Sequence, residues 1–263
     1  MGSATTQALG STVAALDAQT TIDLDTAREL FAAARVVGES SQLSGALADP
    51  TAPAGTRARL VADIFGKSFR PATVAVLTAT AQQRWSGAAD LVDAIEELAV
   101  RAATRADKNV DVEGELFRVS RLVAENPQLE LALGSRLGDS AAKGALVQTL
   151  LGGRASEATT LIVSSLVQQT GDRRVRQLLI RAMQIVADQR GRTVASVVTA
   201  APLTAAQRTR LVETLSRRYG SGVSLNEIID PAVVGGLRVQ IADDVIDGSI
   251  SSRLADLRQK LAV

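Results

Sequence analysis

The 263-residue sequence contains neither cysteine nor histidine. That excludes disulfides, thiolate nucleophiles, zinc sites built on these residues, and Ser-His-Asp or Cys-His catalytic arrangements. Aromatic residues are almost as scarce. Phe31, Phe65, Phe69, Trp85, Phe117 and Tyr219 are all there are, too few for base-stacking platforms or an aromatic-lined ligand pocket. No excess of basic charge exists either. Nine basic side chains face eleven acidic ones in 1–105, eleven face ten in 106–190, and nine face seven in 191–263. No region therefore carries the cationic surface that nucleic-acid backbones require, and no nucleic-acid partner is expected. No apolar run approaches the roughly 20 residues of a membrane-spanning helix, and no secretory leader pattern opens the chain. An intracellular, soluble chain is expected; the Met1–Thr6 match to a loose myristoylation pattern is read as an ordinary start.

What is present is a repeat. Leu30–Gly66 aligns with Leu116–Gly152 at a constant offset of 86, with twelve identities in 37 positions, including Phe31/Phe117, Gln42/Gln128, Leu47/Leu133, Val61/Val147 and Gly66/Gly152. The match continues through Ala72-Thr73/Ala158-Thr159 and Gln82-Gln83/Gln168-Gln169. One residue is then gained, so that Leu91-Val92 falls opposite Leu178-Leu179. Shared composition does not hold register over that length, and the two segments are copies of one folding unit.

Each copy has helical periodicity, as in Leu30, Phe31, Ala34, Val37. Helices are predicted over Gln42–Ala48, from Pro53 to a stop at Gly66, over Pro71–Gln83 and over Ala89–Arg105. In the second copy Asp139 or Ser140 caps a helix ending at Gly152-Gly153, followed by Ser156–Thr170 and Asp172–Asp188. The helix that links the copies is expected to run on through Val100–Asp111, which holds no Pro or Gly. From Thr193 the pattern changes to short β-branched runs. A strand ends before Pro202, Thr204 caps a helix to Arg218, and strands follow at Val223–Ile229 and Gly235–Ile241. Asp243-Asp244 supplies a turn, Val245-Ile246 returns, and Asp247-Gly248-Ser249 leads into a last helix, Ile250–Leu261. The expected fold is mainly α: helical bundles at 1–105 and 106–190, the second sharing the linking helix, then a small α/β module at 191–263.

Few motifs carry chemistry. Gly66-Lys67-Ser68 resembles the tail of a phosphate-binding loop, but Val61 stands where that loop needs Gly and a helix precedes it, so it reads as a helix stop. Asp243, Asp244 and Asp247 read as turn residues rather than a metal or acid/base cluster. Arg173, Arg174, Arg176 and Arg181 form a basic stretch, either a solvated face or a surface for an acidic partner. Gly235-Gly236 reads as a strand entry with unusual backbone angles.

The run Ile229-Asp230-Pro231-Ala232-Val233-Val234-Gly235-Gly236-Leu237-Arg238-Val239, then Asp244–Ser249 and Arg253-Leu254, resembles the C-terminal signature of the ATP synthase delta subunit family, relatives of the oligomycin-sensitivity-conferring protein. Ala201-Pro202-Leu203-Thr204 is similar to that family's helix entry, and Asn126-Pro127-Gln128-Leu129 to a segment of its helical domain. Most members carry one helical domain; the doubling resembles longer actinobacterial forms. The resemblance implies a non-catalytic peripheral-stalk subunit without cofactor or metal. It implies that the helical part grips N-terminal helices of the alpha subunits while the C-terminal module engages the b subunit. Torque would be resisted at the cytoplasmic face of the plasma membrane, the only membrane association being through the complex. Pro231, Gly235, Gly236, Asp247, Gly248, Ser249 and Arg253 carry the signature as structural residues. The alternative is a generic helical-repeat adaptor for other amphipathic helices. Gly248→Val is expected to lower the melting temperature of the C-terminal module, because a β-branched side chain resists the positive φ inferred at that turn.

Overall fold

The computed structural model describes residues 2–135, 138–220, 222–231, 233, 235–241 and 244–247. The chain divides into compact units Met1–Ile185 and Val186–Val263. The first holds α1 (Ser3–Asp17), α2 (Leu24–Glu39), α3 (Ser41–Ala48), α4 (Ala54–Phe65), α5 (Pro71–Gln82), α6 (Ala88–Ala106), α7 (Val112–Glu125), α8 (Pro127–Gly134), α9 (Ser140–Leu151), α10 (Glu157–Gln168) and most of α11 (Val175–Gln189). Mainly helical structure with a small C-terminal sheet is the expected fold class.

Helix ends fall where side chains replace missing backbone partners. Asp23, Ser40, Asp111, Asp139 and Ser156 each accept a backbone N–H at the start of α2, α3, α7, α9 and α10. Pro71 and Pro127 occupy first turns, where a missing N–H costs nothing. The repeat is visible in these boundaries. Helices α3, α4 and α5 begin at 41, 54 and 71, and α8, α9 and α10 begin at 127, 140 and 157, each 86 residues later. Helix α6 begins at 88 and α11 at 175, which locates the gained residue in the turn before them.

One position ahead of the aligned stretch, Glu29 and Glu115 repeat a further device. Glu29 Oε2 accepts the Arg70 N–H at 2.9 Å and the Thr73 hydroxyl. Glu115 Oε2 accepts the Ser156 N–H at 3.0 Å and the Ser156 hydroxyl at 2.6 Å. In both copies a carboxylate on one helix closes the N-terminus of another and meets the positive end of its dipole. Burial works against the charge of Glu115, but the Ser156 and Thr159 hydroxyls and the Ser156 N–H hold its carboxyl below the ordinary range.

Two features depart from the sequence-based expectation. Helix α1 was not anticipated; its Ser/Thr/Ala-rich sequence shows little amphipathic contrast. It is fastened at both ends, by Thr5 donating to Asp90 Oδ2 at 2.9 Å and by Arg105 donating to the Leu16 and Gln19 carbonyls at 2.7 and 3.1 Å. The linking helix does not run on to Asp111 but stops at Ala106. Asp107 accepts the Asn109 N–H and Asp111 accepts the Gly114 N–H. Short carboxylates that bond the local backbone favour turns and caps over continued helix.

The second unit holds β1 (Arg192–Thr199), α12 (Ala205–Tyr219), β2 (Gly222–Ile229), β3 (Leu237–Ile241) and β4 (Asp244–Asp247). The sheet order is β2-β1-β3-β4, with β1 and β2 parallel and the other pairs antiparallel. Between the parallel strands runs α12, opened by a Thr204/Gln207 capping box and closed by Gly220 at φ 70°. Ala195, Val197, Leu215, Val223, Val239 and Ile241 form its core. Gly235 and Gly236 lie at φ 64° and 80°, the unusual angles read from the sequence. Asp244 is not a turn residue: it begins β4 opposite Ile241 and accepts the Tyr219 hydroxyl at 2.9 Å. Asp247 ends that strand opposite Arg238. Asp243, Gly248, Ser249, Arg253 and the helix expected over 250–261 lie outside the described residues.

Glu115→Ala removes the N-terminal partner of α10 and is expected to cost about 1 kcal/mol in denaturant unfolding. Because the folded carboxyl titrates lower than the unfolded one, this contribution is present above the ordinary glutamate range and lost as pH falls through the folded value. The difference between parent and variant should therefore shrink in acid.

Candidate interaction surfaces

Helix α6 organises the helical unit. From Ala94 to Thr104 every residue is buried, including Glu96, Glu97 and Arg101. A helix buried all round has a partner on every face. Here α6 touches α1, α2, α3, α5 and, from the second copy, α10. It is thus the last helix of the first set. By position it is also the first helix of the second: α1 plus the offset of 86 falls on 89–103, inside α6.

The charged residues of α6 pair with one another, with α11 and with the turn before it. Arg173 Nη1 lies 2.8 Å from Glu96 Oε2 and 3.3 Å from Asp93 Oδ1. Arg181 reaches Asp93 at 3.2 Å and Glu97 at 3.8 Å, and Arg101 Nη2 bonds Glu97 at 2.8 Å. Two of the four arginines of the basic stretch therefore meet an acidic surface inside the chain. Arg176 Nε stands 3.4 Å from Glu130 Oε2. Arg174 is exposed, and its guanidinium has no hydrogen bond or ion pair among the described residues. Burial pushes the Glu96 carboxyl above its ordinary range despite Arg173 and Arg181.

Two crevices occupy the same place in the two copies. The first, about 550 Å³, is lined by Gly66, Phe69, Pro71, Val74, Ala75, Thr78, Ala79 and Gln82. The second, about 240 Å³, is lined by Gly152, Ala155, Glu157, Thr160, Leu161 and Ser164, which are Gly66, Phe69, Pro71, Val74, Ala75 and Thr78 plus 86. It also includes Arg28 of α2, whose guanidinium stands 4.0 Å from Glu157. Helix α2 packs beside α10, and Gln169 donates across to the Ala34 carbonyl at 3.3 Å. The α10 crevice is thus flanked by a helix of the first copy. The α5 crevice is uncharged, and its lining comes only from α5 and the turn before it.

A third concavity, about 470 Å³, lies in the second copy between the end of α7, α8 and the turn into α11. Val123, Pro127, Leu131 and Val175 supply apolar walls, Arg173, Arg174 and Arg176 the cations, and Glu130 and Asp172 the carboxylates. Leu131 is 74% exposed.

The remaining sequence motifs have structural roles. Gly66 closes α4 with its N–H on the Ala62 carbonyl, and Phe65 just before it stacks on Phe69 at 5.0 Å. Helix precedes and follows Gly66-Lys67-Ser68, without the strand a phosphate loop needs. Pro231 is exposed in the turn after β2. Among the described residues no cluster of carboxylates has metal-binding geometry, and no helix is long and apolar enough to cross a membrane.

The protein-family model described as ATP synthase delta (OSCP) subunit matches residues 97–261. That span starts inside α6 and takes in the second copy and the C-terminal unit. An ATP synthase subunit delta of Leifsonia xyli is 48% identical over all of this chain and all of its own. One of Streptomyces avermitilis is 41% identical over 94% of this chain and 93% of its own. A chain in the cryo-EM structure of the Toxoplasma gondii mitochondrial ATP synthase hexamer is 21% identical with a TM-score of 0.39, covering 64% of this chain and 97% of that one.

Arg173→Met is expected to cost about 3 kcal/mol, since it leaves Glu96 buried without its closest cation, and adding Glu96→Gln should restore part of that loss. The cycle is measured by denaturant unfolding. The folded Glu96 carboxyl binds its proton at higher pH than the unfolded one. Parent stability therefore carries a decline as pH rises through the interval just above the ordinary glutamate value, and Glu96→Gln should remove it.

Proposed function

The chain belongs to the ATP synthase delta (OSCP) subunit family, and on that premise we propose that it is the peripheral-stalk connector between the catalytic head and the b subunit. It is a non-catalytic structural subunit of the ATP synthase. In the proposed arrangement N-terminal helices of alpha subunits dock on the helical unit and the b subunit engages the C-terminal unit, at the cytoplasmic face of the membrane. Rotation under proton flow drags on the head, and this joint resists it. Pro231, Gly235 and Gly236 shape the entry to β3 in this reading, Asp247 ends β4, and Gly248, Ser249 and Arg253 complete the sequence signature.

One observation supports a location for the head contact. In the second copy the crevice on α10 already has α2 beside it, whereas the same crevice on α5 is wider and free of charged lining. A repeat array covers each unit's face with its neighbour and leaves the terminal face open. The open α5 face, with Phe69, Val74 and Ala75, suits the apolar stripe of an amphipathic helix. We assign the alpha-subunit helix to the first copy.

Immobilised alpha-subunit N-terminal peptides should retain the full chain. Ala75→Glu, an exposed helical position, should weaken retention by about tenfold or more by charging the apolar seat. Leu161→Glu, the equivalent position of the second copy, should leave it unchanged, and both variants should still bind the b subunit. Equal losses from both substitutions would remove the assignment to the first copy. Absence of binding to either partner would remove the connector reading.

A further inference from the structure

The third concavity, on the α7, α8 and α11 face of the second copy, plays no part in that reading, and its lining is not what the repeat alone would give. In the first copy the turn before α6 is sealed by Trp85, 3% exposed, whose indole N–H donates to the Thr80 carbonyl at 2.9 Å. The corresponding turn of the second copy is one residue longer and has no aromatic, and Gly171 in it lines the cavity. The outer wall changes in the opposite sense. Leu131 stands where the first copy has Gly45, and projects to 74% exposure. The second copy has thus lost the aromatic that closes this turn and gained an exposed aliphatic at its mouth.

Charge distinguishes the occupant. Of the charged groups lining the cavity, Arg173 is held by Glu96 and Asp93, Arg176 stands beside Glu130, and Asp172 is engaged within the chain. Arg174 alone is exposed and uncommitted among the described residues. A hollow with apolar walls at Val123, Pro127, Leu131 and Val175, beside one unspent guanidinium, is complementary to an aromatic or large aliphatic side chain with a carboxylate close by. Surrounding helices and an exposed leucine at the rim favour delivery of that pair on one face of a helix. We propose that this face of the second copy is a second docking site, which takes an acidic amphipathic helix of a partner chain. Its anchor side chain fills the hollow beside Gly171, where the second copy has no counterpart of the Trp85 ring, and its carboxylate meets Arg174.

The test is photo-cross-linking in the assembled ATP synthase. A benzophenone-bearing amino acid replaces Leu131 in one preparation and Ala75 in another, and adducts are identified by peptide mass spectrometry. The proposal expects the Leu131 probe to join an acidic amphipathic segment of a neighbouring subunit. Adding Arg174→Glu should reduce that adduct by about tenfold, because it turns attraction into like-charge repulsion, while the Ala75 adduct is unaffected. No adduct at Leu131, an adduct on a basic segment, or an adduct indifferent to Arg174→Glu overturns it. Because Ala75 reports on the alpha-subunit site independently, a positive Ala75 probe with a negative Leu131 probe rejects this proposal alone. Both positions are exposed on helices, and far-ultraviolet circular dichroism of each variant checks that the fold is retained.

Discussion

The all-round burial of α6 is the constraint on which the helical unit depends. An ordinary amphipathic helix answers to one core. This one answers to helices on both sides, and its Ala-rich faces at Ala94, Ala99, Ala102 and Ala103 allow them to approach closely. Its charged residues are the exception within that apolar surface. They are tolerated because Asp93, Glu96 and Glu97 face Arg101, Arg173 and Arg181 at ion-pair distances. Such a network adds little net stability over an apolar replacement, but a mispaired helix would strand a buried charge. In a chain holding two similar helix sets, that penalty helps to decide which last helix joins which first helix.

The same sharing explains why the copies expose different surfaces despite similar sequences. A position facing solvent in one copy faces a neighbouring helix in the other. Arg28 and Glu157 approach each other where the first copy has a proline and no facing helix. The family model covers the second copy and the C-terminal unit, so the first copy lies largely upstream of that span. It has covered one helix face and supplied another with a different lining.

Much of this was legible in the sequence because it rests on local chemistry. Proline at first turns, Asp and Ser at caps and Gly66 at a stop placed the helices to within a few residues. Twelve identities at one offset disclosed the duplication. The β-branched runs and the Gly235-Gly236 pair located the strands. What could not be read depended on distant segments. The basic stretch reads first as a solvated face, with an acidic partner surface as the alternative, because its partners lie some 80 residues away on α6. The break after Ala106 was missed because Asp107 and Asp111 act through backbone bonds that composition does not reveal. The concavity beside Gly171 is defined by a missing side chain, which only a comparison of the two folded copies exposes.

A helix that ends one set and begins the next also dictates how such a chain can lengthen. Material inserted upstream of α6 brings its own helices and borrows α6 as its final member, so growth proceeds in steps of one 86-residue period. The downstream anchorage is left untouched. A cut just after residue 106 would leave the downstream set without its opening helix, so the divisible segment ends before α6 begins. The natural unit of exchange is therefore out of phase with the unit of folding.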